Sequence, residues 1–191
     1  MKDLLFIIPM KDPAVAKSRL AEVLSDAVRA RLAMALFRRT LGFLAEAQAS
    51  VDVLVVSESA AIEAEATGFF LRQTGSGLNE AVTEGAAWAV VNGYNAICVL
   101  PADLADPSAD DLSRLLALGK GVSIAPAHDG GTNALLVSPP DAISFHYGKG
   151  SCLAHQRAAA GLACTIIPLE SFRYDIDTSA DLARVRGVEW A

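Results

Sequence analysis

Cysteine is scarce and poorly spaced for joint work. Cys98, Cys152 and Cys164 are odd in number and far apart, which excludes a disulfide framework and a structural zinc pattern. Cys98 and Cys164 sit in the apolar runs Ala-Ile-Cys-Val-Leu and Ala-Cys-Thr-Ile-Ile and read as buried small hydrophobes. Cys152 follows a glycine-flanked loop. Positive charge is scarce as well. Sixteen Lys plus Arg stand against 22 Asp plus Glu, a net charge of −6, and only five cations are lysines: Lys2, Lys11, Lys17, Lys120 and Lys149. A broadly basic nucleic-acid-binding surface is thereby excluded, and any phosphate-binding charge has to be concentrated locally. No apolar run reaches the roughly 18 residues that a membrane span needs. The short apolar start, residues 4–9, lacks a small-residue cleavage site. The expectation is a soluble cytoplasmic protein with neither nucleic-acid nor membrane partners.

Several familiar motifs are missing. The dinucleotide fingerprint Gly-x-Gly-x-x-Gly should follow the first strand, but that strand is followed by Pro9-Met10-Lys11-Asp12-Pro13. Gly148-Lys149 offers the heart of a P-loop, yet Ile143 and Gly150 stand where glycine and Ser or Thr are required. His128, His146 and His155 have no metal-ligand spacing and read as surface residues or supports behind a site. No Gly-x-Ser-x-Gly element and no readable Ser-His-Asp or Cys-His arrangement offers a nucleophile.

What is present is apolar patterning over a single domain's length, 191 residues of which 52% are hydrophobic. We read one domain over residues 1–191. Short apolar runs bounded by turns predict buried strands at 4–9, 51–56, 69–73 and 96–100. Between them, helices are predicted from a Ser25 or Asp26 cap to about residue 48, from a cap in 57–59 to near residue 68, and over 78–91. In the first of these, Leu32, Leu36 and Leu44 share a face. This alternation implies a mostly parallel sheet with helices on both faces, and ligands beyond the carboxyl ends of its strands. The second half is less regular: helix 110–118, strand 122–126, strand 134–137 as its antiparallel neighbour across a short turn, helix 153–160, strand 165–168 and a last helix over 179–186.

Four segments could carry chemistry. Lys11-Asp12-Pro13-Ala14-Val15-Ala16-Lys17-Ser18-Arg19-Leu20 puts three cations directly after a buried strand, where they could hold a triphosphate. In Gly75-Ser76-Gly77-Leu78-Asn79-Glu80 the glycines allow close approach to a flat ligand, and Asn79 supplies a donor–acceptor amide for a base or ribose edge. Asp103, in Leu100-Pro101-Ala102-Asp103-Leu104-Ala105-Asp106, stands where a carboxylate could hold Mg²⁺ against phosphate oxygens; Asp106 reads as a loop cap. If Tyr174-Asp175-Ile176-Asp177-Thr178 is extended, Asp175 and Asp177 face one side, and one of them could be the second ligand.

Taken in order, Pro-x-Lys, Ala-Lys-Ser-Arg-Leu, Gly-Leu-Asn, Leu-Pro-Ala-Asp-Leu, Asp-Gly-Gly-Thr-Asn-Ala-Leu-Leu, Tyr-Gly-x-Gly-Ser and Asp-Ile-Asp-Thr resemble the CofC/FbiD guanylyltransferases of coenzyme F420 biosynthesis over about residues 4–187. The resemblance implies a Rossmann-like nucleotidyltransferase fold, of the kind found in nucleotide-diphospho-sugar transferases. It implies transfer of GMP from GTP to a small phosphorylated carboxylic acid, with release of pyrophosphate. The acid would be 2-phospho-L-lactate, phosphoenolpyruvate or 3-phospho-D-glycerate. By the same resemblance Asp103 and Asp177 hold Mg²⁺, Lys17 joins them in catalysis, and Lys11, Arg19, Leu78 and Asn79 bind the nucleotide. Thr132, Gly148 and Ser151 surround the acid, and a homodimer is suggested. Lys149 replaces the family's proline in Gly-Pro-Gly-Ser, adding a cation beside the acid. Two other readings stay open: a molybdenum-cofactor or sugar-phosphate nucleotidyltransferase of the same fold, and a GTP-binding domain without turnover.

Overall fold

In a computed structural model, which describes residues 2–48, 51–185 and 189, the apolar runs form one seven-stranded sheet of order β3-β2-β1-β4-β6-β5-β7. The strands are β1 (Lys2–Pro9), β2 (Asp52–Ser57), β3 (Phe69–Arg72), β4 (Tyr94–Val99), β5 (Gly121–Pro126), β6 (Thr132–Ser138) and β7 (Cys164–Ile166). β3, β2, β1 and β4 run parallel, β6 runs antiparallel to both β4 and β5, and β7 lies parallel to β5 at the edge. The helices are α1 (Asp26–Ala47), α2 (Ala60–Glu65), α3 (Leu78–Val91), α4 (Ala109–Leu116) and α5 (Ser151–Ala158).

Both faces of the sheet are covered, which explains why its strands read as continuous apolar runs rather than alternating ones. In β1, Leu5 and Ile7 pack with Ala81, Val82, Ala86 and Ala89 of α3. The intervening Phe6 and Ile8 pack on the opposite face with Phe37, Leu41 and Leu44 of α1 and Leu112 and Leu115 of α4. Gly85 lets α3 lie close to the sheet, since a Cβ there would meet Ile7 at 3.1 Å and Val56 at 3.3 Å. A third cluster of Leu20, Leu32, Leu36, Ala105 and Ile176 lies apart from these two. It ties the loop after β1, the first half of α1, the loop after β4 and the chain near residue 176 into one apolar unit.

Several boundaries differ from the sequence expectation. β6 begins at Thr132 rather than at residue 134, so Thr132 and Asn133 are buried strand residues. α5 begins at Ser151 rather than 153 because Gly150 supplies a left-handed cap, φ 70°. The last helix is a 3-10 segment, Ser179–Arg184, with i→i+3 bonds such as Val185 N–H to the Leu182 carbonyl. Arg186, the expected last residue of that helix, lies outside the described residues. Cys98 is buried, but Cys164 is only half-buried because β7 is an edge strand with one neighbour. No helix among the described residues is long and apolar enough to cross a membrane.

Candidate active site

The carboxyl ends of β1 and β4 are adjacent because these strands pair in register. β6 starts at the same end because it runs antiparallel to β4, with Leu135 opposite Val99. The loops after β1 and β4 and the start of β6 therefore converge there.

The loop after β4 pairs with a distant segment. Leu104 and Asp175 form an antiparallel bridge, Ala105 N–H donates to the Tyr174 carbonyl at 2.8 Å, and Ile176 N–H donates to the Asp103 carbonyl at 3.0 Å. Arg39 of α1 braces the same loop by donating to the carbonyls of Leu104 and Ala105. This pairing brings Asp103, Asp175 and Asp177 together, with one oxygen of each within 4.8 Å of the others. Asp181 fixes the far end: its carboxylate accepts from Thr178 N–H at 2.8 Å, Thr178 Oγ1 at 2.7 Å and Asp177 N–H at 3.3 Å.

Lys17 faces this acidic group from the loop after β1. It is the one non-glycine residue with positive φ among the described residues (φ 56°, ψ 35°), a conformation that costs an L-residue about 1–2 kcal/mol. The strained backbone sends its side chain inward, 6% exposed, where Nζ bonds Asp103 and lies 3.7 Å from Asp177. Burial works to lower the ammonium pKa, but Asp103, then Asp177 and Asp175, outweigh it and hold it above the ordinary lysine value. Asp175 is pushed up, first by burial and then by the charge of Asp103 and Asp177. Arg19 reaches Asp177 from outside. A cluster of like charges this close calls for cations, and its all-oxygen donor set is of the kind that hard divalent ions take. The triad could hold a metal ion.

A cluster of buried polar side chains adjoins the triad. Asn133 Nδ2 reaches Asp175 at 3.5 Å. Its neighbour Thr132 places Oγ1 3.1 Å from Ser151 Oγ and 3.0 Å from His155 Nδ1. Asn79 holds the loop above: its amide accepts from Tyr147 N–H at 2.6 Å and donates to the Tyr147 carbonyl at 3.2 Å. Glu84 binds the turn before α3, accepting from Gly75 N–H at 2.6 Å and Thr74 Oγ1 at 2.9 Å. The amides of Ser151 and Cys152 donate to the carbonyls of Gly148 and Gly130, so these two amides of the α5 start are taken, and the Ser151 hydroxyl is what it turns toward Thr132.

The residues singled out from sequence thus fall into two linked groups. Lys17, Arg19, Asp103 and Asp177 meet at the carboxylates; Thr132 and Ser151 meet at their hydroxyls, with Asn79 securing the loop that carries Gly148. Leu78, Lys11 and Lys149 are exposed, and neither lysine makes an ion pair with the described residues. Sequence reasoning left Asp175 open, read His155 as a surface residue or a support behind a site, and missed Arg39 and Asp181. Asp181 had a signal, since Thr178-Ser-Ala-Asp181 has capping-box spacing and forms one.

Residues 4–186 match the family described as Guanylyl transferase CofC like. A 3-phospho-D-glycerate guanylyltransferase from Colwellia psychrerythraea is 40% identical over 184 residues, covering 92% of this chain and 88% of that protein. The chain belongs to the CofC-like guanylyl transferase family. A second member, the phosphoenolpyruvate guanylyltransferase of Rubrobacter xylanophilus, is 38% identical over 94% of this chain and 91% of its own. The CofC-like chain also shares its fold with a solved Desulfovibrio desulfuricans G20 protein assigned to the nucleotide-diphospho-sugar transferases. That match has a TM-score of 0.75 at 22% identity, covering 95% of this chain and 85% of the other. As a CofC-like protein, the chain is a nucleotidyltransferase with a nucleotide-diphospho-sugar transferase-like mixed sheet.

Proposed function

We propose that this enzyme transfers GMP from GTP to the phosphate of phosphoenolpyruvate or 3-phospho-D-glycerate, releasing pyrophosphate, as a step toward coenzyme F420. The observation that carries the reading is the meeting of Lys17 with Asp103, Asp175 and Asp177, joined through Asn133 to the strand start that carries Thr132, in a chain of this family. A phosphate oxygen of the acid attacks the α-phosphorus of GTP, and the bridging α–β bond breaks to leave pyrophosphate. A phosphate monoester is largely ionised near neutral pH, its second pKa being about 6, so no general base is needed. This agrees with a site that has no histidine against the carboxylates among the described residues.

The obstacle is the mutual repulsion of two polyanions. Lys17 and Arg19 supply fixed positive charge at the triphosphate, and Lys11 can join from the same loop. A Mg²⁺ ion held by Asp103 and Asp177, with Asp175 beside them, would add charge and orientation at the phosphate oxygens. Thr132, Ser151 and the Gly148 loop receive the acid, and the exposed Lys149 pairs with its carboxylate or phosphate; Lys149→Ala should raise the acid's KM. The decisive assay is pyrophosphate release with GTP, Mg²⁺ and each acid in parallel, 2-phospho-L-lactate included. Release with none of them overturns the reading. Asp103→Asn should fold normally and lose turnover by about 100-fold or more, the scale of removing a group that stabilises transition-state charge.

A further inference from the structure

His155 has no part in the reaction as described, yet its ring is fully buried (0% exposed) and both nitrogens are engaged. It lies one helical turn after Ser151 on α5 and so shares its face. Nε2 is 2.9 Å from the backbone nitrogen of His146. A backbone N–H can only donate, so Nε2 carries no proton. Burial, and then the neighbouring His146, keep the ring neutral by lowering its pKa to about 4. The one ring proton therefore sits on Nδ1, which faces Thr132 Oγ1 at 3.0 Å, and Thr132 accepts.

That tautomer decides what the hydroxyl pair presents. Thr132 Oγ1 and Ser151 Oγ are 3.1 Å apart, so one hydroxyl donates to the other. The Nδ1 proton and the two hydroxyl protons have only two internal contacts to fill, Nδ1 to Thr132 and hydroxyl to hydroxyl. One O–H is left over to donate to a further acceptor. Were the proton on Nε2 instead, Thr132 would donate to Nδ1 and Ser151 to Thr132, and no donor would remain. A hydroxyl pair with no free donor turns only lone pairs toward an anion; one with a surplus donor receives it.

We propose that His155 is a positioning residue that, through the proton on Nδ1, leaves the Thr132–Ser151 hydroxyl pair with a proton to donate to the bound acid and so tunes the pair for an anionic group of it. The inference rests on the reading that the acid binds at these hydroxyls.

The test separates the two. KM for phosphoenolpyruvate and for 3-phospho-D-glycerate, KM for GTP, kcat and the melting midpoint are measured for wild type, Thr132→Val, His155→Leu and His155→Asn. The asparagine amide can place an N–H where Nδ1–H stood but cannot reach His146, so it restores the donor alone. The expected result is that His155→Leu raises the acid's KM by about 10- to 100-fold, one hydrogen bond to a charged group, with GTP KM within about threefold of wild type. His155→Asn should recover most of that loss, and it serves as the deciding variant if His155→Leu does not fold. An unchanged acid KM in His155→Leu, or equal increases for acid and GTP in both His155 variants, overturns the role of His155. If Thr132→Val raises the acid's KM in that case, the acid site stands without it. If Thr132→Val has no effect, the acid binds elsewhere and both ideas fall.

Discussion

His155 shows how much one side chain's setting can decide. Its neighbours are Thr132, the His146 amide, the Tyr147 ring 4.8 Å away edge-on, and the His146 imidazole. None of them stabilises an imidazolium, and the pKa falls from 6.5 to about 4. The unfolded chain therefore binds a proton that the folded one refuses between those values. The stability linked to His155 is complete above about pH 6.5 and is lost as pH falls toward about 4, roughly 2 kcal/mol of it between pH 8 and pH 5. Urea unfolding at the two pH values should show this loss in wild type and a loss smaller by about that amount in His155→Asn. Lys17 is the complementary case, a charged group kept charged in spite of burial because carboxylates surround it.

Short elements, rather than the long ones, carry the site. The bridge between Leu104 and Asp175 and the 3-10 segment Ser179–Arg184 align carboxylates that lie far apart in sequence. The 3-10 segment is held at its start by the reciprocal bonds of Thr178 and Asp181. Asp181→Ala removes the partner of Thr178 N–H, Thr178 Oγ1 and Asp177 N–H together. The expected cost is about 1 kcal/mol, as for a lost cap, read by chemical denaturation. Because Asp177 loses its anchor, turnover should fall by more than the small stability loss explains, and the difference is visible at a temperature where both proteins are fully folded. The long elements were the most legible ones. Apolar runs located β1 through β4, and the period of Leu32, Leu36 and Leu44 located α1, all three being buried. Their ends were less legible because a cap or a neighbouring strand sets them. Thr132 joins β6 because Pro126 of β5 pairs with it, Asn133 falling at the register shift between the Ala125 and Pro126 pairs, which is not a property of their own segment.

At the scale of the whole molecule, a net charge of −6 coexists with binding of two anions only if the balance is reversed locally. Lys17, the most buried of the ion-paired lysines, stands against the carboxylates that could take up further positive charge as metal. Folding gathers those carboxylates, and ligands that bind the gathered state stabilise it by mass action. Mg²⁺ with GTP at about 100 times the dissociation constant should stabilise the fold by about 2.7 kcal/mol, a rise of roughly 5–10 °C in melting midpoint for a chain of this size. Asp103→Asn should abolish most of that rise. A midpoint that Mg²⁺ and GTP leave unmoved in wild type would remove the carboxylates from nucleotide binding.

By itself the sequence determined the class of the fold, the order of its strands and helices and the loops in which chemistry could reside, because burial on both faces leaves continuous apolar runs and turns leave glycine and proline. It also carried the family's motifs in order. Only the tertiary structure decided which groups meet: Asp175 with Asp103 through a bridge across 71 residues of chain, Arg39 under the loop after β4, Lys17 in a left-handed conformation, and the proton of His155 on Nδ1. Those depend on contacts between segments remote along the chain, fixed by packing at the carboxyl ends of the central strands, and no local pattern of residue types records them.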